Sequence, residues 1–180
     1  GGVSGSSYRR EKCLELMKII HPTCIRGNYS EIQALLHNCG TVTGVDAAED
    51  ALAEAEETDL PELMKQYAKE NQMILVASGE TDLITDGSCV YRCHNGSPMM
   101  ARITGSGCMS TVMLGAFLSA ENSVESAVAC CAFTGIAGEL AAKEMTAQKR
   151  GTMTFRNWFI DAVSLLTPEQ LEHGTDVDWF

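Results

Sequence analysis

Five consecutive apolar residues, Met73-Ile74-Leu75-Val76-Ala77, lie between the polar stretch ending at Gln72 and the small polar pair Ser78-Gly79. Side chains alternate between the two faces of a strand, so an unbroken apolar run must be covered on both faces. Helices supply that cover when strands run parallel. Helix-length segments with apolar periodicity occur on both sides of this run along the chain. The alternation predicts an α/β fold, a layered sheet flanked by helices.

The remaining elements follow from period and punctuation. Arg9 to Ile20 reads as an amphipathic helix with Cys13, Leu14, Met17 and Ile20 inward, stopped by His21-Pro22. Thr23 to Gly27 reads as a short buried strand and Ser30 to His37 as a short helix ended by a turn through Asn38 and Gly40. Val45 to Glu56 reads as an acidic, alanine-rich surface helix. Leu60 to Lys69 is a further helix, with Pro61 in the first turn, where the missing N–H costs little. Leu83–Thr85 and Cys89–Cys93 predict a hairpin across Asp86-Gly87. After Ile103 comes a glycine-rich turn, then a helix to about Ala120. The next helix runs from Val124 to about Met145, and its Ala, Cys and Gly face predicts close packing. Phe155 to Leu166 is the last long helix, with Phe155, Phe159, Ala162 and Leu166 inward. The acidic tail after Gly174 is expected to be mobile. No repeat, low-complexity tract or domain boundary is visible, so residues 1–180 read as part of a single domain.

Composition narrows the function. The 180 residues are 45% hydrophobic and 21% charged, enough for a sizeable core. A net charge of −11 disfavours nucleic acid and anionic membranes as partners. The Gly/Ser-rich start lacks an initiator Met and an apolar run, unlike a signal peptide, so the chain is expected to be a piece of a longer one. The least charged stretch, Ser126 to Gly138, is short of the roughly 20 apolar residues of a membrane span. Eight irregularly spaced cysteines suggest mostly buried thiols in a reducing cytoplasm. Cys89, Cys93 and His94 make a poor zinc set, because His94 points away from the two cysteines in an extended strand and no second ligand pair has suitable spacing.

Three segments carry chemistry. In Thr104-Gly105-Ser106-Gly107-Cys108-Met109, a strand-like segment turns into an apolar helix. Glycines permit a sharp turn, and the helix start offers N–H groups and a positive dipole end to an anion such as phosphate. A plain tight connection uses the same letters. In Arg26-Gly27-Asn28-Tyr29-Ser30-Glu31, Asn28 and Glu31 have the spacing of a capping box. The same residues stand at a strand's C-terminal end, where α/β folds bind ligands; there Glu31 can hold Mg²⁺ and Arg26 can meet phosphate. Ser78-Gly79-Glu80-Thr81-Asp82 follows the apolar strand and either lines a nucleotide site or makes an ordinary turn. A Walker-type loop, the protein-kinase signature set and a GxSxG elbow are all missing from the sequence.

Taken together, the segments resemble hydroxyethylthiazole kinases. RGNYSEI resembles that family's RGNxSEI segment, ASGETDLITDG its TGExDxxxDG segment and TGSGCMSTVMLGAFL its GTGCxxxAxxxAFL segment. TGVDAAED resembles a stretch beginning GVDS, and GTMTFRNWFIDAV resembles the entry to the family's C-terminal helix. The resemblance implies a ribokinase-like fold, of which this chain is the C-terminal portion with the N-terminal part missing. It implies ATP- and Mg²⁺-dependent phosphorylation of 4-methyl-5-(2-hydroxyethyl)thiazole by a homotrimer with active sites between subunits. It matches Arg26 and Ser78, in the Ser78-Gly79 loop, to ATP contacts and Gly105 to a substrate contact. Gly105, Ser106, Gly107 and Cys108 match an anion-hole turn, with Cys108 where sugar-kinase relatives carry a base aspartate. Asn28 and Glu31 match an NxxE motif that organises Mg²⁺ and phosphate. Ser78 and Ser106 replace the usual threonines and keep both hydroxyls. A degenerate nucleotide- or thiazole-binding paralogue and a hydroxymethylpyrimidine or sugar kinase are the alternatives; cysteine at position 108 argues against the last two. Thiol catalysis by Cys108 would need a partner base, and no histidine lies in these segments.

Overall fold

The structure is a computed structural model that describes residues 2–37 and 60–180. The expected turn at Asn38 and Gly40, the acidic helix Val45 to Glu56 and the TGVDAAED stretch lie outside the described residues. The described elements are α1 (Ser7–Ile20), β1 (Cys24–Asn28), α2 (Tyr29–Leu36), α3 (Leu60–Asn71), β2 (Ile74–Ser78), β3 (Asp82–Thr85), β4 (Val90–Cys93), a 3-10 helix (Pro98–Arg102), α4 (Ser106–Ala120), α5 (Val124–Ala147), α6 (Thr152–Leu165), α7 (Pro168–Gly174) and β5 (Val177–Trp179). The five strands form one mixed sheet in chain order, β1-β2-β3-β4-β5, flanked by helices. Two compact units are present, Gly1–Gly79 with Thr85–Val90, and Glu80–Ile84 with Tyr91–Phe180.

In the first unit β1 and β2 pair in parallel, from Cys24 opposite Ile74 to Asn28 opposite Ser78. Leu75 and Val76 point to opposite faces, yet both are essentially inaccessible, as the apolar run requires. Ile32, Leu35 and Leu36 of α2 and Met64, Tyr67 and Ala68 of α3 are buried with them. The chain leaves α3 through Gln72 and passes straight into β2. At Asp86-Gly87 the chain turns with Gly87 at φ +97°, and a Cβ there would lie 2.5 Å from the Lys69 backbone. The turn is held by Thr85 Oγ1, which donates to the Cys89 carbonyl and accepts from Gly87 N–H. α1 departs from expectation: Cys13, Leu14 and Met17 are half-buried, but Ile20 is exposed together with Leu16 and Ile19. Ile20 is the last helical residue, and His21 after it takes a left-handed conformation, φ 45°.

The second unit is built on α5. This helix is 24 residues long, close to the expected Val124 to about Met145; by length and composition alone it is long and apolar enough to cross a membrane, and more than half of that apolar window is buried inside the protein. Eleven of its residues are buried, and it packs against α4, α6, α7 and the 3-10 helix. Small residues make this approach possible. A Cβ on Gly135 would stand 2.5 Å from the backbone carbonyl of Asn95, and one on Gly138 would stand 2.5 Å from Met100 Sδ. Phe155 and Phe159 of α6 stack at 6.3 Å and are fully buried against Ile103, Ala137 and Ala141. Burial of each ring stabilises the unit by about 2–3 kcal/mol.

Asn95 ties the end of the chain to α5. Its Nδ2 donates to Glu139 Oε1 at 3.2 Å and to the Gly174 carbonyl at 2.8 Å, and its Oδ1 accepts from Asp176 N–H at 2.8 Å. The tail expected to be mobile instead forms β5, antiparallel to β4, with Asp178 opposite Arg92. The period-2 pattern of three residues was too short to read as a strand. Cys93, at the end of β4, is fully buried, and burial pushes its thiol up to about 12. His94, the next residue, is half-exposed and bonds elsewhere. The segment before Gly105, expected as a strand, is the 3-10 helix, capped by Ser97 with Pro98 in its first turn.

Gly135→Ala should destabilise the protein by about 1–3 kcal/mol, the usual cost of forcing atoms into a packed site. A urea midpoint equal to the parent's would show that the Asn95 backbone yields freely there.

Candidate functional site

The first cluster grows from the end of β1. Asn28 stops the strand and caps α2: its Oδ1 accepts from Glu31 N–H at 2.8 Å and from the Ser30 hydroxyl at 2.9 Å. Glu31 reaches back, and its Oε2 accepts from Asn28 N–H at 3.1 Å, completing the capping box read from the sequence. Oε1 accepts from the Gly2 N–H. Burial alone would raise the Glu31 carboxyl above its ordinary value. The N–H bonds from Asn28 and Gly2, with the Arg26 charge, outweigh burial and hold it below. Glu31 is therefore an ionised carboxylate with both oxygens bonded.

Gly27, within the Arg26-to-Glu31 segment, makes room for the Glu31 carboxylate. A Cβ there would stand 3.1 Å from Glu31 Cβ and 3.4 Å from Oε2, so glycine lets the carboxylate fold against the strand. The signal was present in the RGN triplet, since a Gly just before a cap often marks close approach. Ser78 lies across the register from Asn28, and its hydroxyl donates to the Gly27 carbonyl at 3.2 Å. Gly79 begins the bend that follows β2. Arg26 and Asn28 share a face of β1 by strand alternation. Asn28, Glu31 and Ser78 are thus brought together at the C-terminal ends of two parallel strands.

The second cluster is the turn into α4. Gly105 is the N-cap, at φ +96° and ψ −3°, and contributes no side-chain cap. The first helical bond runs from Met109 N–H to the Gly105 carbonyl at 2.9 Å, so the N–H groups of Ser106, Gly107 and Cys108 precede the helical ladder. They point along the positive end of a helix of 15 residues. The Ser106 hydroxyl donates back to the Ile103 carbonyl at 3.4 Å. Cys108 is exposed, at one end of an open apolar groove of about 400 Å³ formed with Met109, Val112 and Met113 of α4 and Phe159, Ile160 and Val163 of α6. Gly105, Ser106, Gly107 and Cys108 therefore sit together as the sequence suggested, although no strand leads into them. No group of three or more His, Cys, Asp or Glu side chains with metal-site geometry occurs among the described residues.

Known proteins are similar to this chain in sequence and in fold. The family model of the hydroxyethylthiazole kinase family matches residues 1–169. A protein from Methanosphaera stadtmanae described as hydroxyethylthiazole kinase 1 is 38% identical over 172 residues, covering 92% of this chain and 60% of that protein. A hydroxyethylthiazole kinase from Staphylococcus carnosus is 36% identical over 178 residues, covering 98% of this chain and 64% of its own length. The chain thus spans less than two thirds of these curated relatives. A solved structure of a hydroxyethylthiazole kinase protein from Pyrococcus horikoshii OT3 superposes with a TM-score of 0.80 at 23% identity, covering 99% of this chain and 63% of that one. That likeness establishes the ribokinase-like fold. The matched segments include both clusters, and the chain belongs to the hydroxyethylthiazole kinase family.

Proposed function

We propose that the natural polypeptide phosphorylates the hydroxyl of 4-methyl-5-(2-hydroxyethyl)thiazole with ATP, as a cytoplasmic homotrimeric enzyme of thiamin salvage. The observation that carries the reading is the junction of β1 and β2. An ionised, hydrogen-bonded Glu31 and the Ser78 hydroxyl stand at the C-terminal end of a parallel strand pair, the end where α/β folds take nucleotides. Family membership and the order of the matched segments support it.

Phosphoryl transfer needs positioning and charge stabilisation more than covalent chemistry. In this reading the Arg26 guanidinium, Asn28 and the Ser78-Gly79 loop hold the nucleotide. Glu31 is the residue that would hold Mg²⁺, directly or through water; its two N–H bonds leave lone pairs on both oxygens, and one carboxylate plus phosphate oxygens is a usual Mg²⁺ set. The ion, when bound, neutralises charge on the phosphate oxygens. The N–H groups at Ser106, Gly107 and Cys108 receive phosphoryl oxygens through fixed dipoles that need no reorganisation. The apolar groove beginning at Cys108 suits a methylthiazole ring, with the hydroxyl beside Gly105 and Cys108. Cys108 then packs beside the hydroxyl, and the backbone donors carry the larger share of the rate.

Purified full-length protein should convert the hydroxyethylthiazole and ATP to the thiazole phosphate and ADP, and leave hydroxymethylpyrimidine untouched. Comparable pyrimidine turnover would move the assignment to the neighbouring kinase, and ATP binding without turnover of either would make the protein a degenerate paralogue.

Glu31→Gln should keep the cap, since glutamine serves in a capping box, while greatly weakening Mg²⁺-dependent activity. The pH dependence has a fixed sign. The folded Glu31 carboxyl lies below its ordinary value of 4.5, so its contribution to stability is complete above about that pH. It is lost as pH falls through the lower folded value. The parent should therefore show an acid loss of stability that Glu31→Gln lacks; a Gln variant with the parent's Mg²⁺ dependence would leave Glu31 as a cap alone.

Gly105→Ala places a side chain at φ +96° and should cost about 1–2 kcal/mol in stability and lower the rate. Cys108→Ser should stay within a few-fold of the parent, because the backbone donors remain. A loss of roughly 10²–10⁴-fold in Cys108→Ser would instead identify the thiol as a general base.

A further inference from the structure

The family match ends at residue 169, but the chain runs on to Phe180 and adds β5 to the sheet. Three features dock this strand on β4. Asp176 and Val177 stand beside His94 and Cys93, with His94 N–H donating to the Asp176 carbonyl at 2.9 Å. Arg92 Nε donates to Asp178 Oδ1 at 2.6 Å, and its guanidinium lies 5.1 Å from the centre of the Phe180 ring. The Tyr91 and Trp179 rings lie 6.4 Å apart. The Arg92 bond, the largest cause, and the His94 bond hold the Asp178 carboxyl below its ordinary range, so it is an acceptor at neutral pH.

Strand pairing, Arg92 and the Tyr91–Trp179 contact hold β5 on β4. Asp178 makes a further contact through its other oxygen: Oδ2 lies 3.3 Å from His94 Nε2. The other ring nitrogen, Nδ1, lies 3.3 Å from Thr81 Oγ1. A carboxylate accepts only, so Nε2 must carry the hydrogen toward Asp178. In the neutral ring Nδ1 is then an acceptor, and the Thr81 hydroxyl donates to it. Thr81 is thereby linked to β5 through one imidazole. Thr81 lies two residues after Gly79, in the loop that opens with Ser78. Asp178 and His94 are both at least a third exposed, so the relay adds little to global stability, and its consequence is orientation.

We propose that β5 is a clasp in which Asp178, acting through His94, positions Thr81 and with it the Ser78–Asp82 loop, so that nucleotide affinity depends on the docked C-terminal strand. The nucleotide half of this inference rests on the reading of Ser78 and Gly79 given above. Asp178, His94 and Thr81 are positioning residues and do not touch the reacting atoms.

The test uses the full-length protein and four variants. Thr81→Val, His94→Ala and Asp178→Ala should each raise the KM for ATP by roughly 3–10-fold, the effect of losing one hydrogen bond, with kcat within about twofold of the parent. Thr81→Ser restores the hydroxyl and should restore the parent KM, which a merely structural role for the methyl group would not predict. Amide hydrogen exchange at residues 79–82, read without any substrate, should rise in His94→Ala and Asp178→Ala. Unchanged exchange there in both variants would overturn the clasp, and unchanged KM in Thr81→Val would overturn its link to nucleotide. A parent that binds no ATP would overturn the nucleotide link together with the kinase reading, while the exchange measurement would still decide the clasp alone.

Discussion

The in-register parallel pairing of β1 with β2 is the constraint on which the first cluster depends. Strand side chains alternate with a period of two, so a slip of one residue would turn each side chain of β1 to the opposite face. In the observed register Asn28 stands opposite Ser78, and the Ser78 hydroxyl bonds the Gly27 carbonyl. The strand can end there because Asn28 takes over as helix cap, and Glu31 returns to the Asn28 N–H. Gly27 leaves room for the returning carboxylate. One ladder thus places the last residue of a strand, the first turn of a helix and the start of a loop at the same level.

The second unit is organised by close approach rather than by a ladder. α5 presents Gly135 to the Asn95 backbone and Gly138 to Met100. Asn95, held there, bonds Glu139, Gly174 and Asp176 and so brings α7 and the start of β5 to the same place. A buried amide with all of these partners is stabilising, whereas one deprived of them would cost free energy, so the network acts as a single piece. The buried Phe155 and Phe159 fill the volume on another side of α5. Both glycines and the amide are small polar or featureless letters whose role comes from what stands opposite them.

Much of this was legible. The apolar run at β2, the capping box, the turn at Asp86-Gly87 and the close packing of α5 all follow from period, spacing and residue size, and the structure has each of them. Other expectations failed for identifiable reasons. Ile20 continues the apolar period of α1, but it is the helix's last residue and nothing covers it among the described residues, so it is exposed. The residues before Gly105 contain Met99, Met100 and Ile103 and read as a strand; Ser97 and Pro98 instead start a 3-10 turn, a local effect that outweighs propensity. The tail reads as free because Asp176 and Asp178 are charged, yet Asp178 is matched by Arg92 and His94.

The amino-acid sequence by itself determined the α/β character, the cap at Asn28 and Glu31, and the glycine turn ahead of Cys108. These depend on interactions within a few residues, where spacing is geometry. Tertiary structure decided that Ser78 stands against Gly27, that Asn95 is the tie between α5 and the chain's end, and that Asp178 reaches Thr81 by way of His94. Each of these joins residues far apart in the chain. Which distant partner a polar side chain meets is set by strand order and helix packing, and no local pattern encodes it.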